Sequence, residues 1–233
     1  FALDKETFDC DLPEHYKKQI YELLKKRQRM LHFAIQAEIL INNQKASTAI
    51  AAIFEHMLVI FKQREFKRLE IIAEIHQLEV ISIELIHNSS IIIKTKDQKI
   101  IINSSDALRL SKYFIRNFIF STLMTSRRYK LKIISSSFND FPRYSPSISP
   151  SQMIQFSYNS FCSFYGEKYK HRIVRFVHYF LLTGNPIFDL SYIPLSLLDE
   201  YFLSHSTLNS LFSAVLDSNF FSGIQCSNSH IPH

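Results

Sequence analysis

The chain has 233 residues, 46% of them hydrophobic, with 27 Lys and Arg against 21 Asp and Glu for a formal net charge of +6, enough apolar material for one large or two modest domains. The greasiest stretch, Tyr113 to Met124, is interrupted by Arg116 and Asn117, so no uninterrupted apolar run of about eighteen residues exists and a transmembrane helix is excluded as a reading. Three glycines and three scattered cysteines, Cys10, Cys162 and Cys226, exclude a glycine-rich phosphate cradle, a disulfide framework and a paired-cysteine zinc site.

The segment Phe1 to Glu6 has neither the basic nor the apolar region of a signal peptide, and a cytoplasmic address is expected. The chain opens on Phe rather than Met and stops at His233; a fragment of a longer polypeptide is the expectation. Residues 1–11 read as an extension. A first helix is signalled by Asp11 as N-cap, Pro13 in the first turn and Glu14 three residues on. Tyr16, Ile20, Leu23 and Leu24 recur at helical spacing while Lys17, Lys18 and Lys25 fall away from them, so the helix is expected to pack on a barrel of strands and show its lysines to water.

Short strands come next. Leu31 to Ile41, Thr48 to Phe54 and Met57 to Phe61 are aliphatic runs parted by polar breaks at 42–45 and 55–56, the pattern of antiparallel strands. Leu69 to Ile75 is the fourth run. In Glu79 to Leu85, Ile81, Ile83 and Leu85 alternate with Ser82 and Glu84, as in a half-buried strand. Ile91 to Thr95 and Lys99 to Asn103 flank a polar turn at Asp97-Gln98. Seven strands result, and a helix from about Ser105 to Leu123 closes them. On a wheel of about 100° per residue, Arg109, Lys112 and Arg116 share one side, with Ala107, Leu110, Phe114, Ile115 and Phe118 opposite. One face plugs the strands and the other meets water.

From 124 to 150 the pattern dissolves into Ser, Pro and basic residues, including Arg127, Arg128, Lys130, Lys132 and Arg143. This reads as a linker holding at most one short ordered segment, Leu131 to Ile134. Ser149-Pro150-Ser151-Gln152 is a capping box that opens a helix through Met153, Phe156, Tyr158 and Phe161. Ile173 to Leu182, the turn 183–186 and Ile187 to Tyr192 read as a hairpin, with a helical first arm as the alternative. Helices starting at Pro194 and after a Ser206 cap are expected, and Phe221 to Cys226 reads as a lone extended segment without its partner.

Seven short strands plugged by one helix, Arg29 to Leu123, resemble a pleckstrin-homology (PH) domain. The Phe-rich helix, Phe188-Asp189-Leu190, the Leu-rich helices from Pro194 to Leu216 and Asn219-Phe220-Phe221 resemble the N-terminal cap of a leucine-rich-repeat (LRR) array. In that order, the parts are similar to the N-terminal region of CARMIL-type regulators of actin capping protein. The implied fold class is α+β: a PH-like seven-stranded β-barrel or sandwich with a C-terminal helix over 12–123, then a linker over 124–150, then a mostly helical LRR cap and first repeat over 151–233. The resemblance implies a PH-like domain that touches acidic membranes with little headgroup selectivity, and repeats that bind protein partners. The segment engaging capping protein lies beyond residue 233 in that family.

Charge points the same way. Residues 1–150 hold 23 Lys and Arg against 16 acids, and 151–233 hold 4 against 5, so the basic excess sits in the strand half and favours an anionic partner. In a PH-like topology three connections at one open end carry Lys45, then Lys62, Arg64, Lys67 and Arg68, then Lys96 and Lys99. Each cation near an anionic leaflet contributes on the order of 1 kcal/mol, so such a rim gives weak, salt-sensitive lipid contact at a plasma-membrane or cortical location; an ordinary solvated rim is the alternative. Lys45 stands alone in the first connection, against a phosphoinositide-selective site. No HExxH, GxSxG or GxxxxGK[ST] occurs, and the histidines are dispersed, so no catalysis, cofactor or metal is expected. A single basic cluster around Tyr129 does not make a nucleic-acid surface. The reading is a non-catalytic membrane-proximal adaptor; the alternative is a lipid-free scaffold that binds peptides by strand addition or proteins on LRR faces.

Overall fold

The computed structural model describes residues 12–27, 31–64, 68–122, 131–135, 149–184, 187–189, 205–216 and 223–225. Of these, 12–118 and 131–135 belong to one compact unit, and 119–122 with 149–225 to a second. The chain is mixed α+β, with one large, open, mostly antiparallel sheet and several helices.

The first unit starts with α1 (Glu14–Arg27). The strands β1 (Leu31–Ile41), β2 (Gln44–Phe54), β3 (Met57–Gln63), β4 (Leu69–His76), β5 (Ser82–Ile86), β6 (Ser90–Lys94) and β7 (Lys99–Asn103) come after it, then α2 (Ala107–Thr122) and β8 (Lys132–Ser135). The sheet order is β4-β3-β2-β1-β7-β6-β5-β8. The seven expected strands are present, but Gln44 and Lys45 already belong to β2. The expected polar break over 42–45 is a two-residue turn, with Asn42 at φ 49° and Asn43 at φ 68°, the left-handed pair a tight hairpin needs and Asn tolerates best after Gly. His87 and Asn88 repeat the device between β5 and β6, at φ 47° and 58°. A 3-10 turn, Gln77–Glu79, separates β4 from β5, capped by His76, whose Nδ1 accepts from Leu78 N at 3.2 Å.

The middle strands are buried on both faces. On one face Ile50, Ala52, Phe54, Met57, Val59 and Phe61 form a cluster with Leu12, Tyr16 and Ile20 of the α1 region. The alternate residues Ala49, Ala51, Ile53, Leu58 and Ile60, pointing the other way, are 0% exposed as well. Double-sided burial explains why β2 and β3 read as continuous apolar runs rather than alternating ones. The wheel expected for α2 holds: Ala107, Leu110, Phe114, Ile115 and Phe118 are all buried. Tyr113 stacks on Phe33 of β1 with centroids 4.8 Å apart, and Asn117 Nδ2 donates to the Phe54 carbonyl at 3.3 Å.

His32, on β1, adds a pH dependence. Burial, and secondarily Arg116, lower its pKa below the ordinary 6.5, so the fold favours the neutral ring. Above that value both folded and unfolded rings are neutral and stability is flat; below it the unfolded chain takes the proton first, and stability falls as pH drops toward the lowered folded value. His32→Gln is expected to flatten this acid limb in urea-melt midpoints recorded across pH; an unchanged limb would remove His32 as its source.

The eighth strand was expected only as linker with a short ordered segment. Leu131-Lys132-Ile133-Ile134-Ser135 instead extends the sheet, parallel to β5 in the register Ser82↔Lys132 to Leu85↔Ser135, and Lys132 N donates to the Ile81 carbonyl at 3.0 Å. β8 buries little: Ile133 is 40% and Ile134 37% exposed. Backbone pairing, not side-chain burial, holds it.

The second unit holds α3 (Pro150–Tyr165), α4 (His171–Leu182), β9 (Ile187–Asp189), α5 (His205–Leu216) and β10 (Gly223–Gln225). The capping box at Ser149 and Gln152 forms in both directions, and Gly166 ends α3 at φ 73° with Glu167 N donating to the Cys162 carbonyl at 2.7 Å. The hairpin expected over 173–192 is corrected in favour of its alternative, a helical first arm: this is α4, in which Ile173, Val177 and Phe180 recur at helical spacing and are all buried. The extended segment expected without a partner has one, since β10 pairs parallel with β9 in the register Gly223↔Ile187 to Gln225↔Asp189. The expected Asp11 cap, the helix from Pro194 and the linker residues 124–130 and 136–148 lie outside the described residues.

Candidate functional site

Two of the three connections expected to form a basic rim are tied together by hydrogen bonds. β1 pairs with both β2 and β7, so the β1–β2 turn lies beside the start of β7. Asn42 N donates to the Lys99 carbonyl and Lys99 N to Asn42 Oδ1, both at 2.9 Å. The β6–β7 turn is built on Thr95, whose Oγ1 accepts from Asp97 N at 3.3 Å and Gln98 N at 3.0 Å. These backbone and side-chain hydrogen bonds set Lys45, Lys96 and Lys99, all exposed, at one end of the sheet.

The third connection is set back. Lys62 stands opposite Ala49 in the β2–β3 register, five residues along β2 from Gln44, about 17 Å at the usual strand rise. Lys62, Arg64 and Arg68 are exposed, and Arg64 N donates to the Arg68 carbonyl at 2.9 Å. Gln19 Oε1 of α1 accepts from Leu69 N at 2.9 Å, fixing the far end of this connection. Lys67 lies outside the described residues.

Acids temper both groups. Lys45 Nζ meets Glu38 Oε1 at 2.6 Å, and Arg64 makes a two-pronged ion pair with Glu70 through Nε and, at 2.7 Å, Nη2. Such exposed pairs are worth at most about 1 kcal/mol, so they dilute the positive field without anchoring the side chains. Lys99 faces Lys94 across the β6–β7 ladder, and Lys94 shares Glu84 at 4.0 Å. Lys62, Arg68, Lys96 and Lys99 carry what excess remains, with Asp97 inside the last turn.

Among the described residues no group of three or more His, Cys, Asp and Glu is placed to hold a metal, and no helix is long and apolar enough to cross a membrane. His56 and His76, expected as dispersed, stack with centroids 6.2 Å apart and are both buried. Cys162 is buried, and that burial raises its thiol pKa, which makes it a packing residue rather than a nucleophile. Cys10 and Cys226 lie outside the described residues.

No family model matches the chain, and no curated protein matches it. Among solved structures, the C-terminal domain of an unknown protein from Leishmania infantum is similar over 45% of this chain and 95% of that one, at 13% identity and a TM-score of 0.34, an overlap too loose to bear on function.

Proposed function

We propose that the chain is a non-catalytic, membrane-proximal adaptor, in which a PH-like first unit makes weak, non-selective contact with acidic lipid and the second unit opens an LRR-type protein-binding scaffold. The observation that carries the lipid contact is the hydrogen-bonded junction of the 42–45 and 95–99 segments, with Lys45, Lys96 and Lys99 on it. Support for the PH-like reading is the seven-strand meander in which β1 pairs with β7, with the apolar arc of α2 buried. Support for the LRR reading is β9-α5-β10, a parallel pair joined through a helix. Its Ile187-to-Gly223 register is longer than the roughly 20–29 residues of an ordinary repeat, as atypical terminal repeats are. A link to capping protein rests on the order of these parts alone.

The test is co-sedimentation with vesicles, with and without phosphatidylserine, across a salt series. Binding is expected only with the acidic lipid, fading with salt. Lys96→Glu with Lys99→Glu changes four units of charge at on the order of 1 kcal/mol each and is expected to lower the partition coefficient at least about 30-fold. The lipid-free scaffold is favoured by the Lys45–Glu38 and Arg64–Glu70 pairs and by an edge of β5 that accepts an extended segment, β8; absence of binding at low salt would replace the first reading by this one.

A further inference from the structure

A second cationic surface lies on the second unit, and it is cleaner than the rim. All four Lys and Arg of residues 151–233 fall between Lys168 and Arg175, at and just before the start of α4. On a helical wheel of about 100° per residue, His171, Arg172, Arg175, His178, Tyr179 and Leu182 share an arc of about 120°, and all six are exposed. The opposite arc, Ile173, Val177 and Phe180, is the buried one. No Asp or Glu occurs anywhere in α4; the nearest acid in sequence is Glu167, before the helix begins.

The same arc carries the two most exposed large apolar side chains among the described residues, Tyr179 at 66% and Leu182 at 74%. A soluble face accounts for arginines but gains nothing by adding a leucine and a tyrosine beside them. A phosphate-lined surface with an apolar layer beneath it uses both: guanidinium groups pair with headgroups while the Leu and Tyr side chains enter the boundary with the acyl chains. An RNA or DNA surface would use the arginines and one ring, and would leave Leu182 without a role.

The geometry points to this arc of α4 as a docking face for an anionic lipid surface, with Arg172 and Arg175 on headgroup phosphates and Tyr179 and Leu182 seated below them. The face belongs to the second unit and the rim to the first, and either can fail while the other holds. Charge complementarity selects anionic over zwitterionic lipid, and the exposed apolar pair selects a bilayer over a merely acidic protein.

The chain has no tryptophan, so Tyr179→Trp introduces one reporter at the face. With phosphatidylserine-containing vesicles its emission should shift to the blue and be quenched by brominated lipid. Adding Arg172→Glu and Arg175→Glu should lower the partition coefficient at least about 30-fold, four units of charge being changed at on the order of 1 kcal/mol each. Arg172→Lys with Arg175→Lys should bind nearly as the parent, which separates lost charge from lost folding. Leu182→Ser should weaken binding roughly threefold with an unchanged salt dependence. Lys96→Glu with Lys99→Glu, which tests the rim, should leave the quenching in place on whatever protein is bound. An indole that stays in water on vesicle-bound protein, or a partition coefficient indifferent to the two charge reversals, overturns the proposal. So does absence of vesicle binding together with Arg172-dependent retention on immobilised polyglutamate, which assigns the face to an acidic protein instead.

Discussion

Ile20→Asp should strip α1 from the sheet and cost about 3–5 kcal/mol, a large part of the stability of a domain of this size. Ile20 is 0% exposed in the cluster that joins Tyr16 to Ala34, Ile50, Phe54 and Phe61. Its burial alone stabilises by roughly 2–3 kcal/mol, and a carboxylate there meets only hydrocarbon. Ala34 and Ala52, the small residues of that face, leave the helix close to the strands and leave a new polar group no room to turn toward water. A detached α1 does not survive as a helix, because 14 residues are at the margin of what holds alone in water. The expected readings are lower helical circular dichroism, a fall in the urea midpoint and uptake of a hydrophobic dye by the bared face of β2 and β3. Lys18→Asp, on the exposed side of the same helix, should stay within about 0.5 kcal/mol of the parent. Equal midpoints for the two variants would mean that α1 does not cover the sheet.

Such a helix was readable because Tyr16, Ile20 and Leu23 repeat at one period and their partners are continuous apolar runs. The seven strands were readable for the same reason. Their ends were not: only three glycines occur in the chain, so its hairpins turn on Asn42-Asn43 and His87-Asn88, and the first pair looks like an ordinary polar break. β8 escaped because four residues held by backbone bonds leave almost no hydrophobic signature, and its partner β5 is some fifty residues earlier. α4 stood only as the alternative to a strand because its β-branched and aromatic residues have strand propensity. Read at period two, Arg172, Arg175, His178 and Tyr179 scatter over both faces; at the helical period they collect on one, so the choice of period decided whether a cationic surface was visible at all. The pairing of β9 with β10 spans a helix and depends on contacts that no local pattern records. Among the expected rim residues, Lys45, Lys96 and Lys99 come together through Asn42, a side chain that sequence offers as a turn former and not as a clasp. The neutralising Glu38 and Glu70 were in plain view, but only strand register puts them next to Lys45 and Arg64.

The second unit turns on Tyr158. It is 1% exposed and among the largest side chains buried completely, on the face of α3 that also carries Cys162 and Tyr165, with Tyr165 Oη 3.5 Å from Ser213 Oγ of α5. Its ring lies 5.6 Å from that of Tyr169, in the segment leading into α4. Tyr158 therefore packs α3 against the approach to α4, while Tyr165 on the same helix reaches α5. Tyr158→Ala should cost about 3–5 kcal/mol, as deleting a buried aromatic ring does when the cavity cannot close. The hydroxyl is a different matter. Buried beside the Cys162 thiol, it makes no hydrogen bond of normal geometry, and burial, with Cys162 next to it, raises its pKa well above the usual phenol. A buried hydroxyl that has exchanged water for a thiol, a weak hydrogen-bond partner, is a net cost. Tyr158→Phe, which keeps the ring and removes that group, should thus be neutral or stabilising by up to about 1 kcal/mol, opposite in sign to the alanine variant. Urea melts followed by circular dichroism compare the two. A Phe variant as damaging as Ala would show that the hydroxyl, not the ring, organises the unit; the expected split would show that α3, α4 and α5 are held by shape, and that the cationic arc of α4 is carried on an apolar support.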